Sequence, residues 1–170
     1  AGTILVVDDL PEMRALIRHA IARQGYQVVE AVNGQEALET TRRTKPDLVI
    51  TDWMMPVMTG PELVNHMKTT ADLSAIPVIL LTAKSDPQSK QAGIKAGADG
   101  FLAKPFEQTE LQSLVRNLLK LRSAERAAAD IKRKNALSQV AAELAHELNN
   151  PLNFINGGVH QIKSIHVGMR

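Results

Sequence analysis

The sequence predicts a doubly wound α/β fold, a five-stranded parallel sheet of order 2-1-3-4-5, followed by a long coiled-coil helix. Three observations carry this. Short apolar or β-branched runs alternate with stretches of helical spacing between residues 3 and 104, and that alternation demands right-handed crossovers with helices on both faces. Four of the runs end on a polar side chain: Ile4-Leu5-Val6-Val7 delivers Asp8 and Asp9, Leu48-Val49-Ile50-Thr51 delivers Asp52, Val78-Ile79-Leu80-Leu81 delivers Thr82, and Gly100-Phe101-Leu102-Ala103 delivers Lys104. Beyond Glu107 the turn residues thin out, and apolar residues recur in steps of three and four.

Each element follows from local chemistry. Pro11 sits where a first helical turn accepts it, and Met13, Leu16, Ile17, Ala20 and Ile21 continue at helical spacing up to Gly25. Gln27-Val28-Val29-Glu30-Ala31 is a short strand, and Asn33-Gly34 is a turn that starts a helix through Ala37 and Leu38, closed by Pro46. The third strand, Leu48 to Asp52, is followed by a loop, Trp53 to Gly60, in which Trp53, Met54 and Met55 read as packing residues and Gly60-Pro61 as backbone geometry. A helix runs from Pro61 to about Thr69. Pro77 opens the fourth strand, and Lys84-Ser85-Asp86-Pro87 leads into a helix that stops at Gly97. After the Gly100 strand and the Lys104-Pro105 turn, Leu111, Leu114, Leu118 and Leu121 step by 3, 4 and 3, and Leu137, Ala141, Leu144 and Leu148 by 4, 3 and 4. These are coiled-coil spacings, and they predict a parallel dimer through the helix after Glu107. Apart from Pro151, no helix breaker appears before Gly157-Gly158.

Composition narrows the function classes. The 170 residues carry a formal net charge of +2, and only 3 % are aromatic, which disfavours single-stranded nucleic-acid binding because such sites stack bases on aromatic rings. Residues 1–106 hold 11 basic and 12 acidic side chains, and residues 107–170 hold 9 and 6. Zero cysteines exclude disulfides, thiolate metal sites and cysteine nucleophiles. No apolar run approaches the ~20 residues that span a bilayer and no signal pattern opens the chain, so a cytoplasmic protein without direct membrane insertion is expected.

If the first and third strands are neighbours, Asp8, Asp9 and Asp52 meet at one crevice with Thr82 and Lys104. Singly, an Asp after a strand is a routine cap and a Lys-Pro is loop surface. Jointly they are specific, because each stands at the carboxyl end of a different strand. Clustered carboxylates raise one another's pKa unless a cation compensates, and an all-oxygen ligand set points to Mg²⁺. Asp52 can then stay ionised and act as a nucleophile forming an aspartyl phosphate, with Lys104 and Thr82 directed at phosphoryl oxygens.

On the Asp8-Asp9 pair, Asp52 in DWMMPVMTG, Thr82 in LLTAK and Lys104 in KPF, residues 3–120 resemble the receiver domain of two-component response regulators, which has a flavodoxin-like fold. The resemblance implies that Asp52 is the phosphoacceptor. It also implies that Asp9, Asp52 and the main-chain carbonyl of Met54 bind Mg²⁺, that Asp8 supports the metal through water, and that Thr82 and Lys104 read the phosphoryl group. Phe101 stands where the family often has a switch Tyr, so a hydroxyl-dependent switch is unavailable.

A second motif, Ala145-His146-Glu147-Leu148-Asn149-Asn150-Pro151-Leu152, is similar to the phosphoacceptor box of sensor histidine kinases. With Ala141 and Leu148 at a positions and Leu144 at d, His146 falls at f and faces water, as a phosphoryl-accepting imidazole must. Residues 1–120 are thus expected to form a receiver, 121–136 a linking helix, and 137–170 a partial dimerisation and phosphoacceptor segment. The chain reads as a fragment of a hybrid histidine kinase, itself a phosphotransferase, without its ATP-binding domain. Expected partners are a second copy, an upstream histidine kinase or phosphotransfer protein, and a downstream response regulator. A straight helix would set His146 roughly 58 Å beyond Glu107, so direct transfer from Asp52 within one dimer is not expected. The competing readings are a DNA-binding response regulator, for which residues 121–170 show no helix-turn-helix pattern, and a metal-dependent phosphohydrolase.

Overall fold

The predicted strands become β1 (Thr3–Val7), β2 (Gln27–Ala31), β3 (Leu48–Asp52), β4 (Val78–Ala83) and β5 (Gly100–Lys104), all parallel in the order β2-β1-β3-β4-β5. The structure is a computed structural model that describes the backbone of residues 2–83 and 87–167 and the side chains of residues 2–83 and 91–148. The expected lead-in Lys84-Ser85-Asp86 lies outside the described residues. The helices are α1 (Pro11–Ala22), α2 (Gly34–Thr44), α3 (Gly60–Thr69), α4 (Pro87–Ala96) and α5 (Gln108–Val167). The chain divides into two units, residues 1–123 and 124–170.

Strand alternation builds two cores from the same strands, since successive side chains point to opposite faces. Leu5, Val7, Val49, Val78 and Leu80 bury one face against Ala37 and Leu38 of α2 and Leu63, Val64 and Met67 of α3. Ile4, Val6, Leu48, Ile50, Ile79 and Leu81 bury the other against Ile17, Ala20 and Ile21 of α1 and Leu111 and Val115 of α5. Each fully buried Leu or Ile contributes about 1.5–3 kcal/mol, so the central strands form a rigid floor for whatever stands at their carboxyl ends.

Helix ends follow the expected chemistry, with one shift. Asn33 caps α2 by accepting the Glu36 N–H at 2.9 Å. α3 begins one residue before the expected Pro61, because Thr59 and Glu62 form a capping box: the Glu62 carboxylate accepts the Thr59 N–H at 2.8 Å. Gly25 and Gly97, the expected helix stops, have φ of 85° and 93°. These are left-handed values that glycine adopts without a Cβ clash.

The structure corrects two expectations about α5. Leu111 is fully buried, and Leu114 and Leu118 pack against the same core, so the first three of the 3-4-3 leucines are spent inside residues 1–123. Leu121, at 56 % exposure, is the first that is not. The helix also passes Pro151 and Gly157-Gly158 and continues to Val167, the last described residue. A proline removes one helical hydrogen bond and each glycine costs only about 1 kcal/mol, so neither must end a helix that its neighbours continue.

Candidate phosphoacceptor and metal site

At the carboxyl edge of the sheet, the pairing of Val7 with Thr51 sets the ends of β1 and β3 side by side. Asp8 and Asp9 follow β1 directly, and Asp52 ends β3. One carboxylate oxygen of each of the three lies within 4.8 Å of the others. Lys104, at the end of β5, reaches in with its ammonium 2.7 Å from Asp52 Oδ1 and 3.4 Å from Asp8 Oδ2. Thr82 is half-buried beside Ala103, its partner in the β4–β5 pair. The structure therefore brings Asp8, Asp9, Asp52 and Lys104 of the expected crevice together, and sets Thr82 near the end of the neighbouring β4.

Its electrostatics are unbalanced. Asp8 is fully buried, and burial pushes its carboxyl above the ordinary value, helped by the charge of Asp52 and opposed by the Leu10 N–H and Lys104. Burial alone would lower the Lys104 ammonium, yet the hydrogen bond and charge of Asp52, then those of Asp8, hold it above its usual value. Among the described residues, three carboxylates thus gather where one ammonium, that of Lys104, pairs with two of them. Oxygen donors in excess of local positive charge fit a hard divalent cation, which would relieve the cost of keeping Asp8 ionised.

The loop after Asp52 is shaped by its backbone. Gly60 N–H donates to the Trp53 carbonyl at 2.9 Å, and a Cβ on Gly60 would fall 2.3 Å from the Asp52 main-chain oxygen. Gly60 is therefore required for close approach, as its sequence context suggested. Val57 has φ of 72°, an uncommon conformation for a β-branched residue. Of the three residues expected to pack, Met55 is buried and Trp53 lies against the core, whereas Met54 is 68 % exposed. Met54, two residues past Asp52, therefore does not pack into the core. Phe101 packs against the core face that carries α2 and α3.

A family model for the response regulator receiver domain matches residues 4–116. The chain belongs to this family. The receiver is 39 % identical over 118 residues to the phosphate regulon transcriptional regulatory protein PhoB of Pseudomonas aeruginosa, an alignment covering 69 % of this chain and 52 % of that protein. Among solved structures, the signal receiver domain of a signal transduction histidine kinase from Syntrophus aciditrophicus is 42 % identical with a TM-score of 0.68, over 71 % of this chain and 91 % of that one. The receiver domain of sensor histidine kinase PA1611 from Pseudomonas aeruginosa, with a magnesium ion coordinated in its active-site cleft, is 27 % identical with a TM-score of 0.66, over 71 % and 98 % of the two chains. The chain thus spans about half the length of that Pseudomonas aeruginosa regulator, and both transcriptional regulators and kinases contain its likeness.

The remaining expected site residue, His146, lies on α5 in the second unit. It is exposed and shares a surface with Gln139, Ala142, Glu143 and Glu147. At 100° per residue His146 stands about 160° around the helix from Leu144, which with Leu137, Val140 and Leu148 forms an exposed apolar stripe. The side chains from Asn149 onward, including Pro151, are outside those described.

One residue of the receiver crevice has no sequence signal. Arg14 of α1 donates through Nη1 to the main-chain oxygen of Asp8 at 2.8 Å and through Nε to Glu30 of β2 at 3.0 Å. Its spacing in α1 is that of any helical arginine, and only the folded chain shows where it points.

Proposed function

We propose that this receiver accepts a phosphoryl group on Asp52 in a Mg²⁺-dependent reaction, and that the phosphorylated receiver regulates, through a dimeric α5, the segment carrying His146. The observation that carries the first part is the crevice itself: Asp52 stands beside Asp8 and Asp9 with Lys104 2.7 Å from its Oδ1. Asp9, Asp52 and the Met54 carbonyl would hold the metal, with Asp8 supporting it through water. When bound, Mg²⁺ supplies positive charge to the phosphoryl oxygens and to the carboxylates around them. Asp52 is the nucleophile: one of its oxygens forms the new bond to phosphorus while the bond from phosphorus to a phosphohistidine nitrogen of the donor breaks, that nitrogen keeping the electron pair. Lys104 exchanges its contact with Asp52 for a phosphoryl oxygen, and the Thr82 hydroxyl donates to another.

The output is argued from the helix. Leu137, Val140, Leu144 and Leu148 are exposed, and a second copy would cover them. His146 on the opposite side stays open to water, which suits a phosphoacceptor imidazole flanked by Glu147. Residues 1–120 then serve as the receiver, 121–136 as the link and 137–170 as part of the dimerisation and phosphoacceptor segment. The phosphodonor is a histidine kinase or phosphotransfer protein, and the recipient beyond His146 a further response regulator. A DNA-binding output is the weaker reading, because residues 121–170 carry no helix-turn-helix pattern.

Phosphopeptide mapping after exposure to a small phosphodonor with Mg²⁺ tests the reading. Label at Asp52, absent from Asp52→Asn, is expected. Unchanged labelling of that variant would refute it.

A further inference from the structure

We infer that Arg14 is a positioning residue for metal binding in the acidic crevice, holding the turn that carries Asp8 and Asp9; this rests on the proposed reading of the crevice. Arg14 lies in the second turn of α1, and its side chain is only 15 % exposed. Its guanidinium makes two fixed contacts, one to the Asp8 main-chain oxygen and one to Glu30 Oε2. Glu30 is itself fixed, because its other oxygen accepts from Arg18 Nη1 at 2.8 Å. A line of contacts therefore runs from β2 through Arg14 to the peptide between Asp8 and Asp9. From within, the same turn is held by the Leu10 N–H on Asp8 Oδ1 at 2.9 Å and by the Asp8 N–H on the Ala31 carbonyl at 3.2 Å.

Two partners on one planar guanidinium fix its orientation, which a lysine cannot reproduce. Divalent ions of magnesium's size demand near-ideal ligand placement, so a turn that drifts by a few tenths of an ångström weakens binding while the fold survives.

For Arg14, charge and positioning predict opposite signs. Arg14 is a cation near a cation site, so by Coulomb's law alone its removal should tighten Mg²⁺ binding, and removal of the Glu30 charge should weaken it. If Arg14 acts by positioning, Arg14→Gln and Glu30→Gln both weaken binding. The double variant should then resemble Arg14→Gln, because Glu30 acts through Arg14.

The test is titration of the full chain with MgCl₂, followed by calorimetry and by the fluorescence of Trp53, the single tryptophan, which adjoins Asp52. We expect Arg14→Gln to raise the Mg²⁺ Kd about tenfold with near-unchanged circular dichroism, Arg14→Lys to recover part of the loss, and Glu30→Gln to fall between. An unchanged or lower Kd in Arg14→Gln overturns the inference. Should that variant fail to fold, Arg14→Lys decides: it keeps the charge, so positioning expects a raised Kd there, and an unchanged Kd overturns the inference equally. Absence of Mg²⁺ binding by the unmodified chain at millimolar metal would instead overturn the reading of the crevice, and the inference with it.

Discussion

Asp8 shows how one residue can oppose stability in order to serve a site. Its carboxyl is raised above the ordinary 3.8 chiefly by burial, so the folded metal-free chain holds its proton more tightly than the unfolded chain does. The stabilisation from this group is fully present below that ordinary value and is lost as pH rises through the raised one. Replacing Asp8 by Asn removes the buried charge, while Lys104 retains Asp52 at 2.7 Å. Without metal at neutral pH, Asp8→Asn should melt higher, by roughly 1 kcal/mol, and the advantage should vanish on acidification below the ordinary carboxylate value. With Mg²⁺ the order should reverse, since the variant has lost a carboxylate from the cluster. Thermal melts of both chains across pH, with and without MgCl₂, check this, and a variant no more stable than its parent in the metal-free state would count against it. At this scale, the meeting of Asp8, Asp9, Asp52 and Lys104 was readable because each ends or follows an apolar run, and parallel strands carry run ends to one edge. Arg14 was not, because a guanidinium aimed at a carbonyl leaves no periodic trace in the sequence.

At the scale of the element, α5 shows where periodicity misleads. A helix face on a globular core repeats every 3.6 residues and a coiled-coil seam every 3.5, so four leucines cannot distinguish the two. Leu118 was grouped with the seam, yet it packs on the core, with its Cδ1 3.2 Å from where a Cβ on Gly100 would stand. Arg122, one turn on, is buried and donates through Nη1 to the Asp47 carbonyl just before β3, so the receiver's hold on α5 extends at least that far. The strands were easier, since apolar runs bounded by Gly, Pro and Asn exclude most alternatives. Capping explains the one-residue error at α3, because Thr59 and Glu62 recruit Gly60 into the helix. The two uses of leucine are separable by experiment. Leu118→Glu should destabilise the receiver by about 2 kcal/mol or more, by placing a charge against apolar surface. Leu137→Glu with Leu144→Glu should leave receiver melting unchanged and reduce self-association. Denaturant unfolding and sedimentation equilibrium on the same samples read both, and equal loss of receiver stability in the two variants would show that the assignment is wrong.

For the whole molecule, the question is how a phosphoryl group on one unit alters the other. Every described side chain from residue 123 to 148 is exposed, so within a single chain this stretch makes no core of its own. Isolated helices in water gain little from propensity, and an exposed leucine stripe gains when a second copy covers it. In the proposed reading, self-association is therefore the quantity through which the receiver acts. Phosphorylation at Asp52 shifts it only by the difference in phosphorylated-receiver free energy between monomer and dimer. A fivefold to tenfold change in the dimer constant corresponds to about 1–1.4 kcal/mol, within reach of Lys104 exchanging Asp52 for a phosphoryl oxygen and of the loop after Asp52 moving with it. The prediction is a shift of that size in the monomer–dimer constant of the full chain when a small phosphodonor and MgCl₂ are added, measured by sedimentation. Asp52→Asn should show no shift, and Leu137→Glu with Leu144→Glu should remain monomeric in both conditions. A chain shown to be labelled at Asp52, with its association constant unchanged, would mean that the receiver signals through some other surface, and Met54, exposed two residues past Asp52, would be the first place to look.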